Sequence, residues 1–422
     1  IIYLVAYSTT FHSQLRIEIK GGVQDPVSIA IVPLKWDTEH SQRVYIHKVI
    51  QSDLESFGEF KVLPPENMLS LPTVKEEVFY KDWRMLGVDY LVIGSISSKE
   101  IKDEIIADYT IFDVIRERAL HRGSVIGPIQ TLRQIGHRIS DKIYSRIQGI
   151  PGIFSTKIAY IDKPSEVDPN YNLRISDLDG YDSLSLFSSP QPLMSPSWSP
   201  DRENIAYVSF EEGTSRIFLQ KLTTAERRGL KLEMGINSSP DWSPNGNKIS
   251  AVLSKSGNPD IFTYDLKTDK WTQLTEHFGI DTEPDWSPDS KKILFTSNRS
   301  GSPQIYEANL RNNRIKRLTF EGTYNARGRY LPNGKGFVFV HRRNGVFHIA
   351  TQALKTGKIR ILTDTFLDES PTVSPNGNVI IYATKDEDKD TLAGITIDGK
   401  TKFIMSSIKG EAREPAWSPL ID

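Results

Sequence analysis

The stretch Thr282-Glu283-Pro284-Asp285-Trp286-Ser287-Pro288-Asp289 decides the fold, because its second half is one copy of a word written six times. The copies are Trp198-Ser199-Pro200-Asp201, Trp242-Ser243-Pro244-Asn245, Trp286-Ser287-Pro288-Asp289, a weakened Tyr330-Leu331-Pro332-Asn333, Val373-Ser374-Pro375-Asn376 and Trp417-Ser418-Pro419. Their first residues are 44, 44, 44, 43 and 44 positions apart. A period of this size belongs to four-stranded propeller blades and to few other repeats. Six copies therefore predict six blades.

Working outward from each copy, the proline presets φ at the second turn position, and Gly246, Gly334 and Gly377 close a tight hairpin turn. The copies carrying Arg202 and Ser290 at that place are expected to be looser. An alternating strand follows (249–253, for example), then a polar loop, a third strand (260–264) and a fourth ending near 273–275. Segments 157–161, 173–178 and 183–187 supply three strands without an innermost partner, and Pro415-Ala416-Trp417 supplies it. That joint closes the ring and removes open sheet edges, so C-terminal truncation is expected to be costly. The tryptophans read as packing between blades.

Before residue 150 the pattern is different. Val27-Ser28-Ile29-Ala30-Ile31-Val32 reads as a buried strand, and Ile46, Val49, Ile50, Leu54 and Phe57 as a helix stopped by Gly58. A second helix is predicted over about 75–86, ending at Gly87, then a strand at 90–94 and a strand pair at 105–114 and 119–126. Ile135, Ile139, Ile143 and Ile147 mark a last amphipathic helix. The expected organisation is a signal-peptide remnant at 1–14, an α+β domain at 15–150 and an all-β six-bladed propeller at 151–422. The remnant rests on the apolar run Ile1-Ile2-Tyr3-Leu4-Val5-Ala6 and the small-x-small pattern Ala6-Tyr7-Ser8, with a buried strand as the alternative.

Composition excludes several functions. Lysine plus arginine (52) balances aspartate plus glutamate (53), which gives no overall field toward nucleic acid or an anionic membrane. The chain has no cysteine, hence no disulfide, thiol nucleophile or cysteine-held metal, and no segment apolar enough to span a bilayer. It contains no Gly-x-Ser-x-Gly, no His-Glu-x-x-His and no phosphate-binding glycine loop. His40 and His47, read on the first helix, are expected to face solvent. No catalytic, cofactor-binding or metal-ligating residue is assigned, and the expected protein is not an enzyme. The competing reading is a hydrolase or carbohydrate-binding propeller with a ligand in its central channel.

Several words are more specific than the repeat: Arg174-Ile175-Ser176-Asp177 with Asp179-Gly180-Tyr181, the run from Ser189 to Pro196, Thr282-Glu283-Pro284-x-Trp286, and Phe366-Leu367-Asp368-Glu369-Ser370-Pro371. With Leu15-Arg16-Ile17-Glu18-Ile19 and Trp83-x-x-Leu86-Gly87-Val88-Asp89, the chain resembles the TolB family, soluble periplasmic components of the Tol-Pal envelope system. The resemblance covers nearly the whole chain. It implies a monomeric periplasmic hub that binds the Pal lipoprotein through the propeller and TolA through the N-terminal region. Such a hub would support outer-membrane integrity and constriction in cell division, with other outer-membrane proteins as further possible partners. By the same resemblance the mature chain begins near Gln14, which disagrees with cleavage after Ser8.

Two candidate surfaces follow. In a blade running outward from the axis, the segments leading into the innermost strands open on the face opposite the Ser-Pro turns. There the candidate Pal-binding residues are Gln191, Met194, Ser239, Thr282, Glu283, Arg327, Asp368, Glu369, Arg413 and Glu414. This rim reads as acidic, with Asp241, Asp285 and Glu411 added and Arg327, Arg329 and Arg413 opposing, and suits a basic patch on the partner. The candidate TolA segment is Leu15, Arg16, Ile17, Glu18 and Ile19, whose alternation suits addition to a partner's sheet edge or packing on the chain's own propeller or N-terminal domain.

Overall fold

The computed structural model describes residues 16–19, 26–42, 44–99, 103–163, 169–386, 389–405 and 411–420. Its larger part is a ring of six antiparallel sheets, each built from four propeller strands. Blades one to five start from the innermost strands Leu193–Trp198, Asn237–Trp242, Asp281–Trp286, Asn325–Tyr330 and Glu369–Val373. Blade six is composite: Lys157–Asp162, Tyr171–Asp177 and Leu184–Ser189 receive Ala412–Trp417 as their innermost strand, the closure expected from the sequence.

Strand alternation explains why the blades stack. In the second strand of blade one, Ile205 and Tyr207 enter the core shared with blade six, while Ala206 and Val208 enter the core shared with blade two. Both faces are apolar because both are covered. The tryptophans tie neighbouring blades: Trp198 Nε1 donates to Ala416 O at 3.0 Å and Trp286 Nε1 to Asp241 O at 3.1 Å. The turns with Arg202 and Ser290 are not looser than the others. Both residues adopt the left-handed backbone of Gly246 (φ 59° and 57° against 74°), and the same bond closes all three turns. The Ser199 and Ser287 hydroxyls, each bonded across its own turn, hold a conformation that would favour glycine.

The N-terminal domain has strands β1 (Arg16–Ile19), β2 (Val27–Ile31), β3 (Lys35–Asp37), β4 (Phe60–Leu63), β5 (Tyr90–Ser98), β6 (Glu104–Asp113) and β7 (Arg118–Pro128). Its helices are α1 (Ile46–Glu55), α2 (Tyr80–Met85) and α3 (Leu132–Gln148). The sheet order is β4-β2-β5-β6-β7, with β3 beside β5. Helices α1 and α3 share one core with the sheet, and Trp83 of α2 anchors the other. The second helix is shorter than predicted. Val78 and Phe79 are extended, which turns Val78 into the core and leaves 75–77 as a separate tight turn.

This domain sits on the turn face of the ring. Asn376 Nδ2 donates to Pro151 O at 2.9 Å, and Phe57, in the turn after α1, lies 5.6 Å from Phe154 and 5.7 Å from Phe403 of blade five. Strand β1 does not join its own domain's sheet. It pairs antiparallel with Thr401–Ile404, the outermost strand of blade five, with Glu18 opposite Lys402.

Candidate protein-binding face and channel

Because each blade's innermost strand ends at the turn face, its first residues lie on the opposite face, which the described residues of the N-terminal domain leave uncovered. Every innermost strand breaks its register there. The residue at the break has positive φ in all six blades: Ser195, Ser239, Glu283, Arg327, Ser370 and Glu414. Such bulges re-aim side chains at a cost that the surrounding structure must hold. Here they ring a cavity of about 250 Å³ on the propeller axis.

The ring is internally paired. Arg327 Nε lies 2.9 Å from Glu283 Oε1, and the Arg327 guanidinium also reaches Ser370 Oγ and, at 3.9 Å, Glu414 Oε1. The other oxygen of Glu283 accepts from Arg327 N at 3.0 Å and Thr296 Oγ1 at 2.8 Å, while Glu414 accepts from Ser195 N. Burial alone would lower the Arg327 pKa, but Glu283 and Glu414 outweigh it and hold the guanidinium above its ordinary value.

One layer deeper, side chains two residues past the bulge hold the next blade's backbone. Ser197 accepts from Trp242 N, Asp241 from Trp286 N, Asp285 from Tyr330 N at 2.7 Å and Thr372 from Trp417 N at 3.1 Å. Burial, then the neighbouring Asp241 carboxyl, push Asp285 up to about 8, against the opposing charge of Arg329.

The sequence-predicted face residues divide accordingly. Gln191 and Glu369 are exposed on the uncovered face, with Met194, Ser239 and Thr282 partly buried. Glu283, Arg327 and Glu414 turn toward the axis and pair with one another. Arg413 meets Asp390 at 2.7 Å. Asp368 is not part of a solvated rim: it is fully buried and accepts from Thr363, Thr365 and Thr384. Asp241 and Asp285 likewise lie inside the channel rather than on a rim. In the N-terminal segment, Leu15 lies outside the described residues, and Arg16, Ile17, Glu18 and Ile19 form β1 on blade five.

An apolar crown on this face was missed. Met234, Phe278, Phe320 and Phe366, in the loops leading into blades two to five, are 83%, 86%, 72% and 69% exposed. Met234 and Phe278 each stand eight residues before the blade tryptophan and just before a glycine, a signal present in the repeat.

A second cluster joins the domains. His137 of α3 lies 2.8 Å from Asp53 of α1 and 3.5 Å from Asp177 of blade six, and Ser140 donates to Asp53 at 2.6 Å. Burial would lower the His137 pKa, but Asp53 and Asp177 overcome it and hold the imidazolium at about 10. Burial pushes Asp53 up against the pull of His137 and Ser140, and the close contact favours the ionised pair. Burial would likewise raise Asp177, but His137 and Lys157 hold its carboxyl far below the usual range. His137, Asp177 and Asp179 have ligand atoms within 4.8 Å of one another. Lys157 and Arg133 already meet those carboxylates, and a protonated imidazole has no lone pair for a metal. The expectation of solvent-facing His40 and His47 fails for His47, which is buried on α1 against Tyr45; His40 precedes the helix.

Comparison with known proteins agrees with this architecture. Residues 15–120 match the family described as TolB amino-terminal domain, and residues 144–421 the one described as TolB beta propeller domain. The chain is 55% identical over 415 residues to the Tol-Pal system protein TolB of Marinomonas sp., covering 98% of this chain and 96% of that one. It is 50% identical over 410 residues to the protein of the same name from Alcanivorax borkumensis, covering 97% and 94%. The crystal structure of TolB from Acinetobacter baumannii superposes with a TM-score of 0.86 at 38% identity, covering 96% of this chain and all of that one. Sequence, repeat and three-dimensional structure thus agree, and the chain belongs to the TolB family of the Tol-Pal system.

Proposed function

We propose that this chain is a periplasmic, non-enzymatic adaptor that binds the Pal lipoprotein on the uncovered propeller face and TolA through residues 15–19. The observation that carries the Pal assignment is the apolar crown of Met234, Phe278, Phe320 and Phe366 around a charged channel mouth. Large exposed apolar side chains around a polar centre are the composition of a recognition surface, since water gains from their burial. Exposed Glu369 adds an acidic group for a basic partner. The TolA assignment rests on the alternation of residues 15–19 and on β1 lying at a sheet edge, the pairing mode in which a strand is exchanged for a partner's. A hub of this kind links the outer membrane to the envelope machinery that constricts it in division.

Calorimetry with Pal tests the face. Phe278→Ala should weaken binding by about 2 kcal/mol, the loss expected for a buried aromatic anchor. Glu369→Lys should weaken it in a salt-dependent way. Asp201→Lys, on the turn face, should leave affinity unchanged. Equal affinity for all three would refute the assignment. Thr282→Ile tests the same face, whereas Glu283→Lys also breaks the ring around Arg327 and reads out stability together with binding.

A further inference from the structure

At the domain junction, on the opposite side of the molecule from the crown, lies a groove of about 1020 Å³ between β7, α3 and the turn face. Arg138, Lys142 and Arg146 of α3 are exposed along it, and Arg202 of blade one completes a row of four cations. None of the four forms an ion pair among the described residues. Among the described residues of the groove the one carboxylate, Asp141, is committed to the backbone N–H groups of Phe154 and Ser155. Like charges four residues apart work against a helix, so this face of α3 carries a cost that folding alone does not explain. Burial, then the proximity of Arg138, lower the pKa of Arg202 against the smaller opposing pull of Asp141.

The other wall is a strand edge. Ser124, Val125 and Ile126 all line the groove, although consecutive side chains of a strand point to opposite faces. Only the strand's edge is common to all three. Strand β7 is the last in its sheet order, and no backbone partner meets its outer edge among the described residues. Alternate residues of an edge strand offer unpaired N–H and C=O groups.

We propose that this groove is a second docking site, which takes an extended acidic peptide segment of a partner protein as an additional strand on β7. Alternate residues of that segment, facing α3, carry carboxylates that meet Arg138, Lys142 and Arg146. The intervening residues are apolar and lie on the side of Ile126, which is 42% exposed. The partner's signature is therefore acidic and apolar residues in alternation, a period that a helix or a free anion does not share.

The test uses the full chain and a labelled synthetic peptide of alternating glutamate and valine, about eight residues long, the span of an ordinary strand. Binding should weaken with salt, fall about tenfold in Arg138→Glu/Arg146→Glu, and slow amide exchange at residues 122–127. Both substituted side chains are exposed, and Lys142→Ala provides a milder variant with a smaller loss. A peptide with lysine for glutamate should not bind. The proposal is overturned if the peptide fails to bind at low salt, if binding ignores the charge reversal, or if the β7 amides gain no protection. Equal binding of inorganic polyphosphate or phosphatidylglycerol vesicles without that protection also overturns it, leaving a general anion site.

Discussion

Arg327 and Glu283, the bulge residues of adjacent blades, meet side by side at the propeller axis with Arg327 Nε 2.9 Å from Glu283 Oε1. The contact closes a gap that the sequence repeat leaves open, because the other bulge positions are serine or a second glutamate. A double-mutant cycle of Arg327→Met and Glu283→Gln should give a coupling of about 1–2 kcal/mol in urea unfolding, between exposed and buried pairs. The Arg327 side chain keeps 32% of its exposure, which sets the pair below a fully enclosed one. A coupling near zero would show the ring to be decoration on an already stable axis.

Ser290 holds a backbone conformation that an L-residue adopts at a cost of ~1–2 kcal/mol. Ser290→Gly should therefore raise stability by about 0.5–1 kcal/mol, part of the gain being lost to the greater freedom of glycine in the unfolded chain. Thermal unfolding checks it, with Gly246→Ala expected to move the other way.

The junction cluster predicts a pH dependence. His137 has a folded pKa of about 10 against an ordinary 6.5, so its contribution is complete below 6.5 and drains away as pH rises toward 10. Stability should fall across that window, and His137→Gln should flatten the fall while costing about 3 kcal/mol at neutral pH, since Asp53 and Asp177 lose their shared cation. A variant as steep as the parent would place the titration elsewhere.

Deleting residues 1–20 should lower TolA binding and spare Pal binding. The register of β1 sharpens this test, because Glu18 stands opposite Lys402 and the chain has no native cysteine to interfere. In Glu18→Cys/Lys402→Cys, oxidation should lock β1 onto blade five and abolish TolA capture, and reduction should restore it. TolA binding equally to both forms would mean that β1 is not the element exchanged.

The propeller was legible because its information is periodic: each Trp-Ser-Pro word states the same turn, and the short count of strands after residue 150 states the closure. The N-terminal domain was legible wherever an apolar period ran uninterrupted, as in α1 and α3, and misread at Val78, where burial overrides the helical pattern. Of the cluster of His137, Asp53 and Asp177 only Asp177 stood in a conspicuous word, and nothing linked it to the others, since the members come from two helices and a blade, 84 residues apart in the first pair. Asp368 looked like a rim charge because a lead-in loop is usually solvated; three threonines that sequence alone does not bring together make it a buried acceptor. Two of the four crown residues, Met234 and Phe278, were written at one place in the repeat, but outside its most visible word.

The composite sixth blade also sets an order of events in time. Trp417 donates through Nε1 to Thr156 Oγ1 at 2.8 Å across 261 residues, and Lys157 N donates to Ser418 over the same separation. Contacts so distant along the chain carry the largest loop-closure cost and form late. A nascent chain appearing N-terminus first can complete blades one to five in sequence, each against its predecessor, while the strand Lys157–Asp162 waits with its inner edge bare. The circle is thus a kinetic latch, and an interruption before residue 412 leaves a nearly finished molecule whose bare inner edge at Lys157–Asp162 can recruit a second copy.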